Sequence, residues 1–306
     1  MEIAVTGSSG LIGTALLAEL RRGGHRAIPV VRPDSASAAD CIHWDPSRGE
    51  IDAASFEGLD GVVHLAGTGI GDRRWTPEQK RRILESRTGP TTLLAETLAG
   101  LVKPPSVFVS GSAVGWYGNR DAEVLTEASP APSEPDFLSD VCTQWEAATA
   151  PAEAAGIRTV HLRTGVVLAA AGGVLKRMLL PFRLGLGGRI GSGRQYLSWI
   201  ALDDEIGAIL HAVTHAEISG PLNATAPTPA TNAELTATLG RVLKRPTKLP
   251  TPVPALKLAY GSELVQHLLL EGQRVTPARL EATGYSFARP DLAYALRLIL
   301  SQPVPV

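Results

Sequence analysis

The sequence has little that would tie it to a membrane, a disulfide framework or a polyanion. Two cysteines, Cys41 and Cys142, occur in 306 residues. A chain this long can bury a core without disulfides, so the count alone does not exclude a secreted protein. The first 20 residues, however, lack the basic segment, apolar stretch and small-residue cleavage site of a secretory leader. They have the pattern of a strand followed by a helix, and the cytoplasm is the expected location. No apolar run reaches about 18 residues, so no membrane-spanning helix is expected. Neither sign of charge predominates: 29 basic and 30 acidic side chains leave a net charge of -1. That balance gives no reason to expect nucleic acid or an anionic membrane as partner. Seven histidines show no metal-ligand spacing. His211 and His215 are four apart on an expected helix, but no Glu-x-x-His context or third ligand accompanies them, and no metal is expected. There is no internal repeat and no low-complexity tract.

What is present is an ordinary globular composition, 44% hydrophobic and 19% charged, in a length that suits one large domain or two small ones. Residues 2–6 form an apolar strand that runs into a glycine-rich turn and a helix to about Arg22, stopped by Gly23-Gly24. Further strands are expected at 27–31, 61–67, 106–110 and 159–163. Helices are expected at 76–98, with Gly89-Pro90 as a break or kink, and at 137–155. Continuous apolar strands alternating with helices predict a parallel sheet covered on both faces. After Leu168 the texture changes to a glycine-rich stretch, then a proline- and threonine-rich stretch with a helix at 232–243, then a mostly helical tail. The fold class is therefore α/β: a Rossmann-type doubly wound parallel sheet over residues 1–168, with a smaller mixed C-terminal domain over 169–306. Residues 196–215 are expected to pack back on the first domain.

Gly7, Gly10 and Gly13 have the spacing G-x-x-G-x-x-G at the strand-to-helix turn. The first permits the tight turn, the second lets backbone approach a pyrophosphate, and the third lets helix and strand pack closely. The helix start offers free N–H groups and a partial positive charge to phosphates, so Ser9, Leu11 and Ile12 join the three glycines as expected dinucleotide contacts. A purely structural glycine turn is the alternative. At the end of the second strand, Val31-Arg32 replaces the acidic residue that usually holds an NAD ribose. An arginine there suits the 2′-phosphate of NADP, while nearby Asp34 keeps NAD as the alternative cofactor.

Further stretches extend the pattern along the chain: HLAGTGI at 64–70, RRWTPEQKRRILESR at 73–87, SGSAVGWYG at 110–118, FLSDVCTQWE at 137–146, LRTGVVL at 162–168, LGLGGRIGSGRQYLSWI at 184–200 and LLLEGQRVTPARLEATGY at 268–285. Together with TGSSGLIG at 6–13, they resemble the extended short-chain dehydrogenase/reductase superfamily. More narrowly, they resemble an atypical branch, the NAD-dependent epimerase/dehydratase family, also labelled SulA-type, including its C-terminal segment. The resemblance implies that Leu65 and Ala66 lie against the adenosine side, that Arg87 contacts the cofactor and that Val166 sits near the nicotinamide. For Leu65, Ala66 and Val166, simple core packing would look the same in the sequence.

The superfamily's usual chemistry uses a serine, a tyrosine and a lysine, the lysine lowering the tyrosine pKa. Ser112 matches the serine. The tyrosine and lysine positions hold Leu138 and Cys142, which cannot do that work. Three outcomes remain. Tyr117 supplies the acid, although a packed loop tyrosine would serve equally; or substrate groups or water do so, with Ser112 orienting them; or the protein binds cofactor without chemistry. Cys142 reads as a small buried hydrophobe rather than a reactive thiol, and His64 as structural. The basic run around Arg73, Arg74 and residues 80–82 is either a solvated helix face or an attractor of anions. Residues 185–199 are either a flexible lid presenting Arg189, Arg194, Gln195, Tyr196 and Trp199 to a substrate, or a connector between domains. The expected function is an NADP-dependent oxidoreductase or epimerase acting on a small carbonyl or hydroxyl substrate. The alternative is a non-catalytic NADP(H)-binding regulatory protein. Oligomeric state is left open.

Overall fold

A computed structural model describes residues 1–33 and 40–301. Its first half contains β1 (Glu2–Thr6), α1 (Leu11–Arg22), β2 (Arg26–Val31), β3 (Ile42–Asp45), β4 (Glu50–Ile51), β5 (Gly61–His64), α2 (Pro77–Ala99), β6 (Val107–Ala113), β7 (Val124–Leu125), α3 (Phe137–Ala147), α4 (Ala150–Ala154) and β8 (Arg158–Thr164). The second half contains β9 (Val166–Leu168), α5 (Gly173–Arg183), β10 (Tyr196–Leu197), β11 (Trp199–Ala201), α6 (Leu202–Thr214), β12 (Gly220–Ala224), β13 (Ala230–Thr231), α7 (Asn232–Leu243), α8 (Val253–Tyr260), α9 (Ser262–Val265), β14 (Arg274–Val275), α10 (Ala278–Ala282) and α11 (Leu292–Ser301). Among the described residues, no helix is long and apolar enough to cross a membrane.

Eight strands form one Rossmann-like sheet in the order β12-β8-β6-β5-β1-β2-β3-β4, parallel except for β4, which pairs antiparallel with β3. The chain winds outward from β1 through β2 to β4, then returns to β5 on the other side of β1. The switch therefore lies between β1 and β5, where ligands of such sheets bind at the carboxyl ends of the strands. Alternate side chains go to opposite faces. Ile3 and Val5 join Leu16 and Leu20 of α1 and Ile206 and Ile209 of α6. Ala4 faces the other way, with Leu94 and Leu98 of α2 and Phe108 of β6.

Two local differences from the sequence expectations have physical causes. α2 runs unbroken through Gly89-Pro90. Buried Ile83, Thr91, Leu94, Ala95 and Leu98 hold it on the sheet, and this packing outweighs the roughly 3 kcal/mol an interior proline costs. The helix expected at 137–155 is two helices, α3 and α4, with Thr149 between them; its hydroxyl donates to the Glu146 carbonyl at 2.7 Å. The sheet also extends past residue 168, because β12 pairs along β8. Pro221 and Asn223 within β12 hide it from a pattern search.

α6 opens with three acidic residues, Asp203, Asp204 and Glu205. Asp204 accepts the backbone N–H of Ala288 at 2.7 Å and of Arg289 at 2.9 Å, which ties the tail to the sheet. Glu205 is fully buried. One of its oxygens accepts from the Thr164 hydroxyl at 2.8 Å, and the other has no partner among the described residues. Burial pushes its pKa up to about 8 from an ordinary 4.5. Between those values the folded chain holds a proton that the unfolded chain releases, so this group's contribution to stability falls as pH rises, by at most about 1.4 kcal/mol per unit. Glu205→Gln keeps an acceptor for Thr164 and removes the titration. Urea unfolding from pH 5 to 9 is expected to show the variant gaining on the wild type as pH rises. Parallel curves would mean that Glu205 is solvated.

Candidate cofactor-binding site

The turn after β1 is built to let backbones touch. Gly7 has φ of +64°, and a Cβ there would lie 2.7 Å from the Leu65 carbonyl carbon. A Cβ on Gly13 would lie 2.3 Å from the Gly7 carbonyl oxygen, and one on Gly10 3.2 Å from the same atom. Gly10 caps α1 without a side-chain hydrogen bond, and the first turn of α1 holds no acidic residue. The leading N–H groups of α1 and the positive end of its dipole are thus left for an outside anion.

Above this turn lies a cavity of about 360 Å³. Of the residues expected to contact a dinucleotide, Gly7, Gly10, Leu11, Ile12, Gly13, Leu65 and Val166 line it. Gly165, Val167, Gly173 and Val174 line it too and were missed. The last two belong to α5, whose start packs on α1: a Cβ on Gly172 would come 3.1 Å from the Leu11 side chain. No local pattern announces that contact, because its partners lie more than half the chain apart. Ser9 is exposed on the turn and Ala66 is half-buried beside Leu65. Val31 ends β2, next to β1, and Arg32 beyond it is exposed. Asp34 lies outside the described residues.

Arg87 stands behind the loop that follows β5 and braces it. Its guanidinium donates to the carbonyls of Thr68 and Ile83, both at 3.0 Å, and lies over the Trp145 ring. Burial lowers its pKa. His64 is fully buried, with Nδ1 2.7 Å from the Thr6 hydroxyl and Nε2 2.9 Å from that of Thr91. Burial pushes its pKa down to about 3, so the ring is neutral and serves to join β1, β5 and α2.

The two hydroxyls considered for catalysis are occupied elsewhere. Ser112 donates to Glu146 at 2.7 Å, and Glu146 is held by a two-pronged contact from Arg163, both prongs at 2.8 Å. Tyr117 is fully buried. Its hydroxyl donates to Asn223 at 2.7 Å and accepts from Arg163 at 3.1 Å. Burial raises its pKa. Neither residue lines the cavity. In this arrangement Tyr117 is packed as an anchor between Asn223 and Arg163 and is not presented to the cavity. Cys142 is buried, and desolvation, reinforced by the negative charge of Glu146, pushes its thiol up to about 12; no thiolate is available.

Residues 185–199 are fastened rather than free. Asn232 accepts from the Ile190 N–H at 2.8 Å, Thr251 donates to the Arg189 carbonyl at 2.9 Å, and Gln195 donates to the carbonyls of Ile190 and Leu269. Trp199 is fully buried, with its indole N–H on the Thr228 carbonyl. The lid expectation is corrected: the glycines here permit close packing, as at Gly188, where a Cβ would overlap the Leu249 carbonyl oxygen.

Comparison with known proteins agrees with this geometry. Residues 3–224 match the NAD dependent epimerase/dehydratase family, and residues 251–299 match a domain of unknown function, DUF1731. Epimerase family protein ML0860 of Mycobacterium leprae is 44% identical over 302 residues, covering 98% of this chain and 96% of that protein. The crystal structure of human epimerase family protein SDR39U1 (isoform 2) with NADPH aligns with a TM-score of 0.87 at 38% identity, over 98% of this chain and 99% of that one. UDP-glucose 4-epimerase of Thermotoga maritima, at 18% identity and a TM-score of 0.75 over 98% of this chain and 97% of that one, shares the fold. With the family match spanning most of its length, and relatives of this identity aligned from end to end, the chain belongs to the NAD dependent epimerase/dehydratase family.

Proposed function

We propose that the protein binds NADP(H) and acts as an oxidoreductase or epimerase on a small carbonyl or hydroxyl substrate. The observation that carries this reading is one continuous cavity that runs from the uncapped mouth of α1 to Val166 and Val174. The glycine cradle fits a dinucleotide: Gly10 keeps the approach to the α1 amides free of side chains, and Arg32 stands exposed at the strand end suited to a 2′-phosphate. The NADPH in the human relative's structure supports the same cofactor. A bound nicotinamide supplies or accepts hydride at C4. The apolar wall of Leu11, Leu65, Val166 and Val174 would exclude water from that end. Among the described residues no ionisable side chain lines the cavity, so substrate groups or water would carry the proton. α5, from the C-terminal part, would supply the wall on the substrate side.

Arg32→Ala is expected to weaken NADPH binding by about 10-fold or more, the worth of a lost charge-assisted contact, and to leave NADH binding nearly unchanged. Fluorescence titration with both cofactors checks this, and equal losses would refute the phosphate assignment. Hydride transfer itself is read as stereospecific loss of deuterium from C4-labelled NADPH across a panel of small carbonyls.

A second reading, a non-catalytic NADP(H)-binding regulatory protein, is favoured by the commitment of the Ser112 and Tyr117 hydroxyls to Glu146 and Asn223. Tight NADPH binding with no deuterium loss across a broad panel would select it.

A further inference from the structure

Outside the cofactor cavity, three ionisable side chains from two distant segments meet where the tail crosses the start of α3. Asp136 precedes α3; His267 lies within a single turn of π-helix at residues 266–270, and Glu271 follows it directly. Such turns are often found at functional sites. One atom of each (a ring nitrogen and two carboxylate oxygens) lies within 4.8 Å of the other two. His267 Nδ1 is 2.7 Å from Glu271 Oε2 and 3.9 Å from Asp136 Oδ2.

Each member is oriented by a different neighbour. Asp136 Oδ1 accepts the Ser139 N–H at 2.8 Å, which leaves Oδ2 to the cluster. Glu271 Oε1 accepts from the Gln266 amide at 2.8 Å, which leaves Oε2. The His267 ring stacks on Trp75 at 6.0 Å between centroids. Second contacts of this kind hold ligand atoms toward a shared point. The three side chains are only 17–23% exposed, and among the described residues no lysine or arginine pairs with either carboxylate. Two partly buried carboxylates beside one imidazole leave negative charge uncompensated, which a cation would balance.

We propose that Asp136, His267 and Glu271 form a binding site for a divalent cation of the zinc class, with one nitrogen and two oxygen ligands and a fourth position open. Tetrahedral zinc sites with such ligands place donor atoms about 3.3 Å apart, inside the range seen here. The sequence hid the site because Asp136 lies far from the other two. Its place is suggestive: Asp136 is two residues before Leu138, which stands where the superfamily's tyrosine belongs, and Leu268 packs in the same cluster as Leu138. A cation at this end of α3 is a Lewis acid near the position of the missing acid. That last step rests on the oxidoreductase reading; the site itself does not.

The test uses the full-length chain without a histidine tag, stripped of metal and titrated calorimetrically with Zn²⁺ alone. One equivalent is expected to bind, and at least about 10-fold more weakly in Asp136→Asn, Glu271→Gln and His267→Phe. These variants are chosen to preserve the fold: asparagine still caps α3, glutamine still accepts from Gln266, and phenylalanine still stacks on Trp75. His215→Ala, which removes half of the unrelated His211/His215 pair, should bind as the wild type does. No bound equivalent, one that is indifferent to the three variants, or one lost in His215→Ala would each overturn the proposal. NADPH titrated into the same samples separates the two readings. Absent zinc with intact NADPH binding sinks only this site, and absent NADPH binding in the wild type sinks only the cofactor reading.

Discussion

Gly13→Ala is expected to weaken NADPH binding by more than about 100-fold, the scale of loss when a site is displaced by about 1 Å, and to lower stability by about 1–3 kcal/mol, as overpacking does. The new Cβ would stand 2.3 Å from the Gly7 carbonyl oxygen and 2.9 Å from the Gly7 carbonyl carbon and Ser8 Cα. All three are backbone atoms, so no rotamer change relieves the clash. Either α1 moves away from the turn or the turn opens, and both displace the N–H groups at Leu11 to Gly13 relative to the cavity. NADPH fluorescence titration and urea unfolding measure the two effects. Gly24→Ala is the control. Its φ of +75° makes alanine unfavourable, but nothing lies within 4 Å of the added Cβ, so it should cost about 1 kcal/mol and leave NADPH binding intact. Wild-type affinity in Gly13→Ala would remove the glycine cradle from the account.

Arg163→Ala is expected to destabilise the fold by about 3–5 kcal/mol, the range for breaking a buried ion pair. The Arg163 side chain is 4% exposed and that of Glu146 10%. Arg163 makes two contacts to Glu146, donates to the Tyr117 hydroxyl and lies 3.5 Å from the Trp116 ring centroid. Its removal leaves a carboxylate in the core with only Ser112 and the His161 edge beside it. Replacing both members, Arg163→Leu with Glu146→Leu, removes the stranded charge and should recover at least half of the loss. A double-mutant cycle in urea then gives a coupling of about 1.5 kcal/mol or more. Additive effects would mean that the pair is solvated, and would return Ser112 to the list of free hydroxyls.

The glycine turn after β1 was legible because it is local. Gly7, Gly10 and Gly13 lie within one turn, and the reasons for glycine there are steric constraints between near neighbours. Leu65 and Val166 came from the family resemblance alone, since core packing would look the same in the sequence. The partners of the two candidate hydroxyls were not legible. Ser112 and Tyr117 follow the right strand, yet their hydroxyls turn to Glu146 and Asn223, and Asn223 sits on a strand with no apolar alternation. The glycines of residues 185–199 suggest freedom in the sequence, while in the fold they mark places where backbones meet. Gly172 and Gly173 gave no signal at all, because their partner is Leu11.

Strands β1, β2, β5, β6 and β8, the covered parallel sheet they form and the anion-ready mouth of α1 follow from the chain alone, since they depend on hydrophobic period and on backbone sterics within a few residues. The direction each polar side chain takes was decided only by tertiary packing. A buried hydroxyl, carboxylate or guanidinium must find a partner wherever the fold brings one. Here Arg163 gathers Glu146 and Tyr117, and the start of α3 gathers His267 and Glu271 from the tail.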